Sequence, residues 1–169
     1  VQYLAMAAKA ARLRALTEGK PLEMPAEVLK EDPKTAEEER RLYESRREEL
    51  DAQVGIAKQQ LAQRQQELNE LRAKYENAAR AYDLTSKELS VTKPLINSGA
   101  VSEVELLRLE RDVARYRGDK DMASAQIGRV QAAISEAGRK IQEVELAFRN
   151  ESGKDLADTM GKLNSLSEG

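Results

Sequence analysis

The stretch YDLTSKELSVTKPLINSGAVSEVELLRLERDV, residues 82–113, contains a short break between two long heptad patterns. Apolar or small side chains recur at alternating steps of three and four residues before the break, and the same spacing returns after it. A 3.5-residue period keeps one seam facing a partner helix, so two such segments around a tight turn predict an antiparallel coiled-coil hairpin. The predicted seam residues are Val54, Leu61, Leu68, Tyr75, Tyr82 and Leu89 before the break, and Ile127, Ile134, Ile141 and Phe148 after it.

The break combines residues that interrupt a helix with a pair that can start a new one. Pro94 lies in the last turn before Gly99, where it bends or tightens the approach to the turn. Gly99 can adopt a positive φ, and Ser102 followed by Glu105 forms a capping box for the returning helix. We therefore predict an all-α chain with an ascending helix at residues 35–97, about 90 Å long, a tip turn at residues 98–101, and a descending helix at residues 102–168.

The residues before the hairpin predict a short extra helix. Residues 1–18 are Ala-rich with an apolar face, whereas residues 19–34 contain three of the four prolines and predict a connector rather than an uninterrupted helix. Within the connector, residues 26–30 favour one brief helical turn. Thr35 and Glu38 form a capping box from which we expect the ascending helix to start.

The heptad phase also predicts where the first helix packs. Folding the chain at Gly99 places residue i opposite approximately residue 198 minus i. Around residues 151–153 the seam slips to a shifted face, which predicts a change of partner toward the base of the hairpin, where the first helix can pack as a third member. Arg64 and Thr85 are polar residues on the seam that can fix the register of the two arms.

The composition favours an extended helical protein over a compact domain. Charged residues make up 34% of the 169 residues and aromatic residues only 4%, so we do not expect a thick globular core. The net charge of −2 and the interspersed charges argue against a nucleic-acid partner. The chain has no Cys and no His, and no group combines a nucleophile, a base and an orienting partner. We therefore expect no enzyme activity, no metal site and no cofactor.

The chain begins in mid-helix pattern without an initiator Met, and we expect it to be a fragment of a longer protein. No apolar run approaches the roughly 20 residues that span a bilayer, and no signal peptide is present. Any targeting or membrane segment of the parent protein is therefore expected outside these residues.

The segment PLINSGAVS, residues 94–102, followed by EVELLRLE, residues 103–110, resembles the hairpin tip of the membrane fusion proteins, the periplasmic adaptors of the hemolysin-D type. Their tip pattern is Arg, then Leu four residues on, then Ser seven further. Leu95 and Ser102 match the Leu and Ser of this pattern. Val91 stands at the Arg position and departs from it, with Lys93 nearby as a basic group.

Further similarity lies in LLRLERDV from residue 106, QELNELRAK from residue 66 and RKIQEVELAFR from residue 139, which look closest to adaptors of exporters for large repeat-containing adhesins, the Lap type. The lipoyl, β-barrel and membrane-anchor regions of that family are absent from these residues. The resemblance implies a periplasmic adaptor, anchored in the inner membrane of a Gram-negative bacterium in its full-length form. It would link an inner-membrane ABC transporter to a TolC-like outer-membrane channel, with six copies forming a tube and an exported protein as cargo.

The same resemblance implies that tip residues dock on the channel. Apart from the resemblance, Ser102 is a helix N-cap, Gly99 serves the turn, and Leu95 can equally close the end of the hairpin core. The candidate docking residues are Val91, Lys93, Leu95, Asn97, Ser98, Gly99 and Ser102.

Two other functions fit parts of the sequence. A drug-efflux adaptor has the same architecture, although Val91 and the additional N-terminal helix with its connector count against it. A coiled-coil dimerisation rod with no export role is the other alternative. The heptads of a continuous rod would run through without Pro94 and Gly99.

Overall fold

The computed structural model describes residues 1–168, and every regular element in that range is helical. It confirms an all-α hairpin with a short N-terminal helix packed against it. The chain divides into two compact units, which we call the three-helix unit (residues 1–59 and 138–168) and the hairpin unit (residues 60–137). The elements in chain order are α1 (Gln2–Glu18), α2 (Ala26–Glu31), α3 (Pro33–Thr92), a 3₁₀ turn (Lys93–Ile96) and α4 (Glu103–Glu168).

The core of the three-helix unit forms where α1 meets both long helices. Ala15 and Leu16 of α1 pack in one buried cluster with Tyr43 of α3 and Phe148 of α4. Leu50, half-buried, packs against the same cluster, as the predicted pairing of residue i with residue 198 minus i requires for Phe148. The contact confirms the expected register of the two arms in this unit.

Helix α1 runs parallel to α3. Near its start, Ala8 shares a buried cluster with Ala36, and one turn later Arg12 Nε lies 2.5 Å from a carboxylate oxygen of Glu39. The offset between the paired residues stays at 27 or 28 positions, which only a parallel arrangement gives. Both side chains of the ion pair are largely buried, with 12% and 15% of their surface exposed.

Helix α1 runs antiparallel to α4. Arg14 donates a hydrogen bond to the sulfur of Met160 at 3.6 Å, while Thr17, further along α1, lies beside Gly153, earlier along α4. A Cβ on Gly153 would be 3.6 Å from the methyl group of Thr17. The change of partner predicted around residues 151–153 is thus the place where α1 packs against α4, although α4 itself continues without a break.

The connector carries the chain back along α1. Gly19 ends α1 with φ 68°, and the amide of Lys20 donates to the carbonyl of Ala15 at 3.0 Å, which closes a Schellman motif. Leu22 then packs on the cluster at the end of α1, and Val28 of α2 is fully buried in the cluster at its start. The short helix predicted at residues 26–30 corresponds to α2.

Helix α3 begins earlier than the sequence pattern predicts. Asp32 accepts hydrogen bonds from the amide of Thr35 at 3.3 Å and from its hydroxyl at 2.8 Å. Asp32 is therefore the N-cap, and the predicted capping box of Thr35 with Glu38 at a helix start was wrong. Pro33 explains the difference, since its fixed φ and missing N–H favour the first helical position directly after a capping residue.

In the hairpin unit, small residues let the two arms approach closely. Ala78 of α3 and Ala123 of α4 are buried, and the ammonium group of Lys120 lies 5.0 Å from the ring centroid of Tyr82 on the other arm. This cation–π contact accounts for a charged residue on the seam of α4. Of the predicted seam residues in the whole chain, Phe148 is buried and the others are half-buried: Val54, Leu61, Leu68, Tyr75, Tyr82, Leu89, Ile127, Ile134 and Ile141.

The two polar seam residues of α3 form their hydrogen bonds within their own helix. The hydroxyl of Thr85 donates to the carbonyl of Ala81, and the exposed guanidinium of Arg64 donates to Glu67 at 2.8 Å. Such bonds to a residue three or four positions away do not fix the position of the other arm. The structure thus gives no register contact for Arg64 and Thr85, contrary to expectation.

Candidate functional site at the hairpin tip

The approach to the tip differs from the prediction of an α-helix through residue 97. Helix α3 ends at Thr92, and Lys93–Ile96 form a 3₁₀ turn. Pro94 has no N–H to donate to the carbonyl four residues earlier, so the chain tightens here. The predicted bounds of 35–97 for the ascending helix are therefore too late at its start and too long at its end.

Backbone hydrogen bonds fix the turn itself. The amide of Ala100 donates to the carbonyl of Leu95 at 3.2 Å, and the amide of Gly99 donates to the carbonyl of Ile96 at 3.0 Å. Together with φ 76° at Gly99 this is a Schellman motif, which satisfies the carbonyls left free at the end of the helical segment. The tip is therefore an ordered surface rather than a loose loop.

The two serines of the candidate site contribute to this order. The hydroxyl of Ser98 donates to the carbonyl of Leu95 at 2.8 Å. The hydroxyl oxygen of Ser102 accepts from the amide of Glu105 at 3.3 Å, and α4 begins directly after it at Glu103. The N-cap role predicted for Ser102 is confirmed. Both serines remain exposed, so a partner can still contact them.

Apolar side chains at the tip face solvent. Val91 and Leu95 are 70% and 41% exposed, and on α4 Val104 and Leu107 are 67% and 64% exposed. Leu95 thus contributes more to the surface than to closing the hairpin core, where the half-buried Ile96 lies instead. Sequence reasoning missed Val104 and Leu107. Their signal was present in the pattern, since both are apolar residues outside the heptad seam.

Polar groups surround this apolar surface. Lys93 and Asn97 are exposed, and the first turn of α4 carries two acidic residues, Glu103 and Glu105. The seven candidate residues between Val91 and Ser102 therefore lie together at one end of the hairpin unit, around a turn fixed by its own hydrogen bonds. Such an arrangement offers a contact surface with apolar, basic and amide groups.

The shifted pKa values belong to surface ion pairs and tyrosine contacts. Arg40 donates hydrogen bonds to both carboxylate oxygens of Glu37, at 2.7 and 3.1 Å, and these bonds lower the pKa of Glu37. The hydrogen bond from Arg115 to the hydroxyl of Tyr116 raises the pKa of the Arg115 guanidinium.

Within residues 1–168, no group of three or more acidic side chains is placed to hold a metal ion. Among the described helices, none is long and apolar enough to cross a membrane.

The geometry defines a class of protein, the long antiparallel helical hairpin with an exposed tip turn. The family described as AprE, long alpha-helical hairpin, matches residues 1–169, and the chain belongs to this family. The crystal structure of the soluble domain of LipC, a membrane fusion protein of a type I secretion system, matches with a TM-score of 0.89 at 20% sequence identity. The match covers 99% of this chain and 81% of that chain, and it shows a shared fold. Comparison with curated proteins gives no match.

Proposed function

We propose that this chain is the hairpin region of a periplasmic adaptor in a type I secretion system. The observation that carries the proposal is the match of all 169 residues to one hairpin family. The likeness in fold to LipC supports it, since LipC is described as a membrane fusion protein of such a system. The tip sequence agrees with the proposal, because Leu95 and Ser102 match the adaptor pattern and both are exposed.

The proposed mechanism is structural. The two arms present the tip, the Schellman turn at Gly99 holds it in one conformation, and exposed Val91 and Leu95 dock on the end of a TolC-like outer-membrane channel. A preorganised turn reduces the conformational entropy that docking must remove. Toward the inner membrane the adaptor meets an ABC transporter, and six copies side by side enclose the conduit. None of these roles needs catalysis or a cofactor.

The cargo and the cellular location are part of the proposal. The segments LLRLERDV, QELNELRAK and RKIQEVELAFR support a large repeat-containing adhesin as cargo, by resemblance to adaptors of adhesin exporters. The same resemblance supports a periplasmic position, with the full-length protein anchored in the inner membrane. Val91 at the Arg position of the tip pattern favours a type I secretion adaptor over a drug-efflux adaptor.

The hairpin unit contradicts the alternative of a continuous dimerisation rod. Residues 60–137 contain both arms and the turn, and Lys120 lies over the ring of Tyr82 within this one chain. A rod that continued through Gly99 would separate these two side chains by about 57 Å at 1.5 Å per residue. The coiled coil therefore forms within the chain.

Cysteine crosslinking in secreting cells tests the docking role. The chain has no cysteine of its own, so single substitutions give a clean signal. Ser98→Cys and Asn97→Cys place a thiol on the exposed tip, while Ser135→Cys and Asn69→Cys place one on exposed helix surface away from the tip. The proposal predicts crosslinks to the outer-membrane channel from the two tip variants only. If neither tip variant crosslinks while the exporter secretes, or if all four crosslink equally, the docking role is wrong.

A further inference from the structure

Met160 lies where α1 packs against α4 in the three-helix unit. Its sulfur accepts a hydrogen bond from the Arg14 guanidinium at 3.6 Å. The preceding residue, Thr159, is only 2% exposed, whereas Met160 itself is half-buried. The thioether is therefore at the edge of the contact between the two helices, where a chemical change at sulfur acts directly on that contact.

An open cavity gives small molecules access to the Met160 side chain. The cavity has a volume of about 440 Å³ and is lined by parts of α1, the connector and α4. Its lining includes Ala11 and Arg14 of α1, Lys20 of the connector, and Met160 and Leu163 of α4. A water molecule occupies about 30 Å³ in the liquid, so the cavity admits molecules of this size. A small polar oxidant can therefore reach Met160 although the helices around it are packed.

The Arg14 guanidinium has donors available for a stronger acceptor. A guanidinium carries five N–H donors, whereas a thioether sulfur is a weak acceptor. Arg14 is exposed, and no ion pair within 4.0 Å joins it to a carboxylate in residues 1–168. The positive charge of Arg14 is therefore free to bind an oxygen atom placed on the sulfur of Met160.

Two other methionines have different surroundings. Met122 is 64% exposed and lies in the hairpin unit, so an oxygen on its sulfur would be surrounded by solvent. Met24 packs against the buried cluster that contains Ala8 and Val28, where an added oxygen would meet apolar side chains. In residues 1–168 the hydrogen bond from Arg14 to Met160 is the one found between a side-chain donor and a methionine sulfur.

A peroxide can oxidise the thioether without help from the protein. A lone pair of the sulfur attacks one peroxide oxygen, so that an S–O bond forms as the O–O bond breaks. The proton of the transferred hydroxyl passes to the departing hydroxide, which leaves as water. The sulfur is thereby oxidised by two electrons to the sulfoxide and the peroxide is reduced. The product has an S=O oxygen, a far better hydrogen-bond acceptor than the sulfur it replaces.

We propose that Met160 is a peroxide-oxidised site whose sulfoxide oxygen is bound by Arg14, so that oxidation strengthens the contact between α1 and α4. Charge-assisted hydrogen bonds are about twice as strong as neutral ones. Met160 is half-buried, so the sulfoxide also keeps contact with water and its desolvation costs little. Oxidation of a methionine in a core normally disrupts packing, and Arg14 reverses this effect here. The inference concerns the three-helix unit and does not depend on the proposed function.

Hydrogen exchange before and after peroxide treatment tests the site in the purified chain. The starting protein carries Met6→Leu and Met24→Leu, because exchange of Met for Leu conserves volume and leaves Met122 and Met160 as the oxidisable residues. Hydrogen peroxide is added until peptide mass spectrometry shows complete oxidation of Met122, and is then removed. We expect Met160 to be oxidised as well, and amide exchange in α1 to become slower by about threefold. Peroxide gives both configurations at sulfur, so this change is an average over the two.

Two variants of the starting protein serve as controls. Arg14→Ala removes the donor and keeps Met160, so oxidation should leave exchange in α1 unchanged or make it faster. Met160→Leu keeps Met122, so peroxide should not change exchange in α1. Met160 that stays unoxidised when Met122 is fully oxidised would overturn the proposal, as would faster exchange in α1 of the oxidised starting protein. The same slowing in either control would also overturn it, because the effect would then not come from Arg14 acting on oxidised Met160.

Discussion

Replacing Phe148 by Ala should loosen α1 from the three-helix unit. Phe148 is only 8% exposed and packs with Leu16 of α1 and Tyr43 of α3. Truncating a buried Phe costs about 3–5 kcal/mol. The guanidinium of Arg46 lies 5.3 Å from the ring centroid, and losing a partly exposed cation–π contact adds about 0.5–1 kcal/mol. The cluster is small and close to the helix surface, so we expect a total near the lower bound, about 3–4 kcal/mol.

Urea unfolding followed by circular dichroism gives the change in the free energy of unfolding, and amide hydrogen exchange shows where protection is lost. We expect faster exchange in α1 for Phe148→Ala, because the ring is part of the cluster that holds this helix. The matched control is Leu146→Ala, two residues away on α4 and 59% exposed, which should change stability by less than about 0.5 kcal/mol. Equal effects of the two substitutions, or unchanged exchange in α1, would refute the account of this core.

Three further substitutions, two of them with a matched control, test separate parts of the fold by thermal or urea unfolding. Gly99→Ala should destabilise the hairpin by about 1 kcal/mol, because φ is 76° at this residue. Its control, Gly118→Ala, lies inside α4 with open space around it and should stabilise the protein by about 0.5–1 kcal/mol. A gain in stability from Gly99→Ala would contradict the turn. Arg12→Ala should lower the free energy of unfolding by about 2 kcal/mol, because it leaves the largely buried carboxylate of Glu39 unpaired. Its control, Arg64→Ala, removes an exposed ion pair and should cost less than about 0.5 kcal/mol. Equal costs would contradict the packing of α1. Asp32→Ala should cost about 1 kcal/mol as a lost N-cap, and no loss would contradict the helix start assigned here.

The hairpin could be predicted from the sequence because its signals are local or periodic. The heptads fixed the two arms, Gly99 and Ser102 marked the turn, and the pairing of Leu50 with Phe148 followed from folding the chain at Gly99. Boundaries were less accurate, since two capping sequences compete at the start of α3. Asp32 rather than Thr35 is the N-cap, because Pro33 directly after it has the fixed φ of a helix and stands at the first helical position, where a missing N–H costs no hydrogen bond.

The direction of α1 could not be read from its sequence. Its buried residues lie on two sides, because one side packs on α3 and the other on α4, so the buried surface extends beyond the one apolar face that the sequence predicts. The face of α4 that receives α1 is equally inconspicuous. Ser152 and Thr159 are almost fully buried there, and small polar residues look like surface in a pattern based on apolar side chains.

Most of the tip residues could be identified, whereas the extent of the tip surface could not. Leu95 and Ser102 stood out by resemblance, and the structure places both at the exposed end of the hairpin unit. Val104 and Leu107 were missed because an apolar residue outside a seam has no assigned partner in a sequence pattern. The sequence pattern shows that both lie outside the seam, but only the structure shows that both are exposed.

Protein export by cells that carry tip variants tests the central claim most directly. Leu95→Asp places a charge on the exposed apolar surface of the tip and leaves the backbone hydrogen bonds of the turn in place. Met122→Asp introduces the same charge at a residue of α4 that is 64% exposed and lies outside the seam. The measurement is the amount of the exporter's cargo outside the cells, at equal adaptor levels. The account predicts loss of export for Leu95→Asp and normal export for Met122→Asp; normal export with both would contradict it.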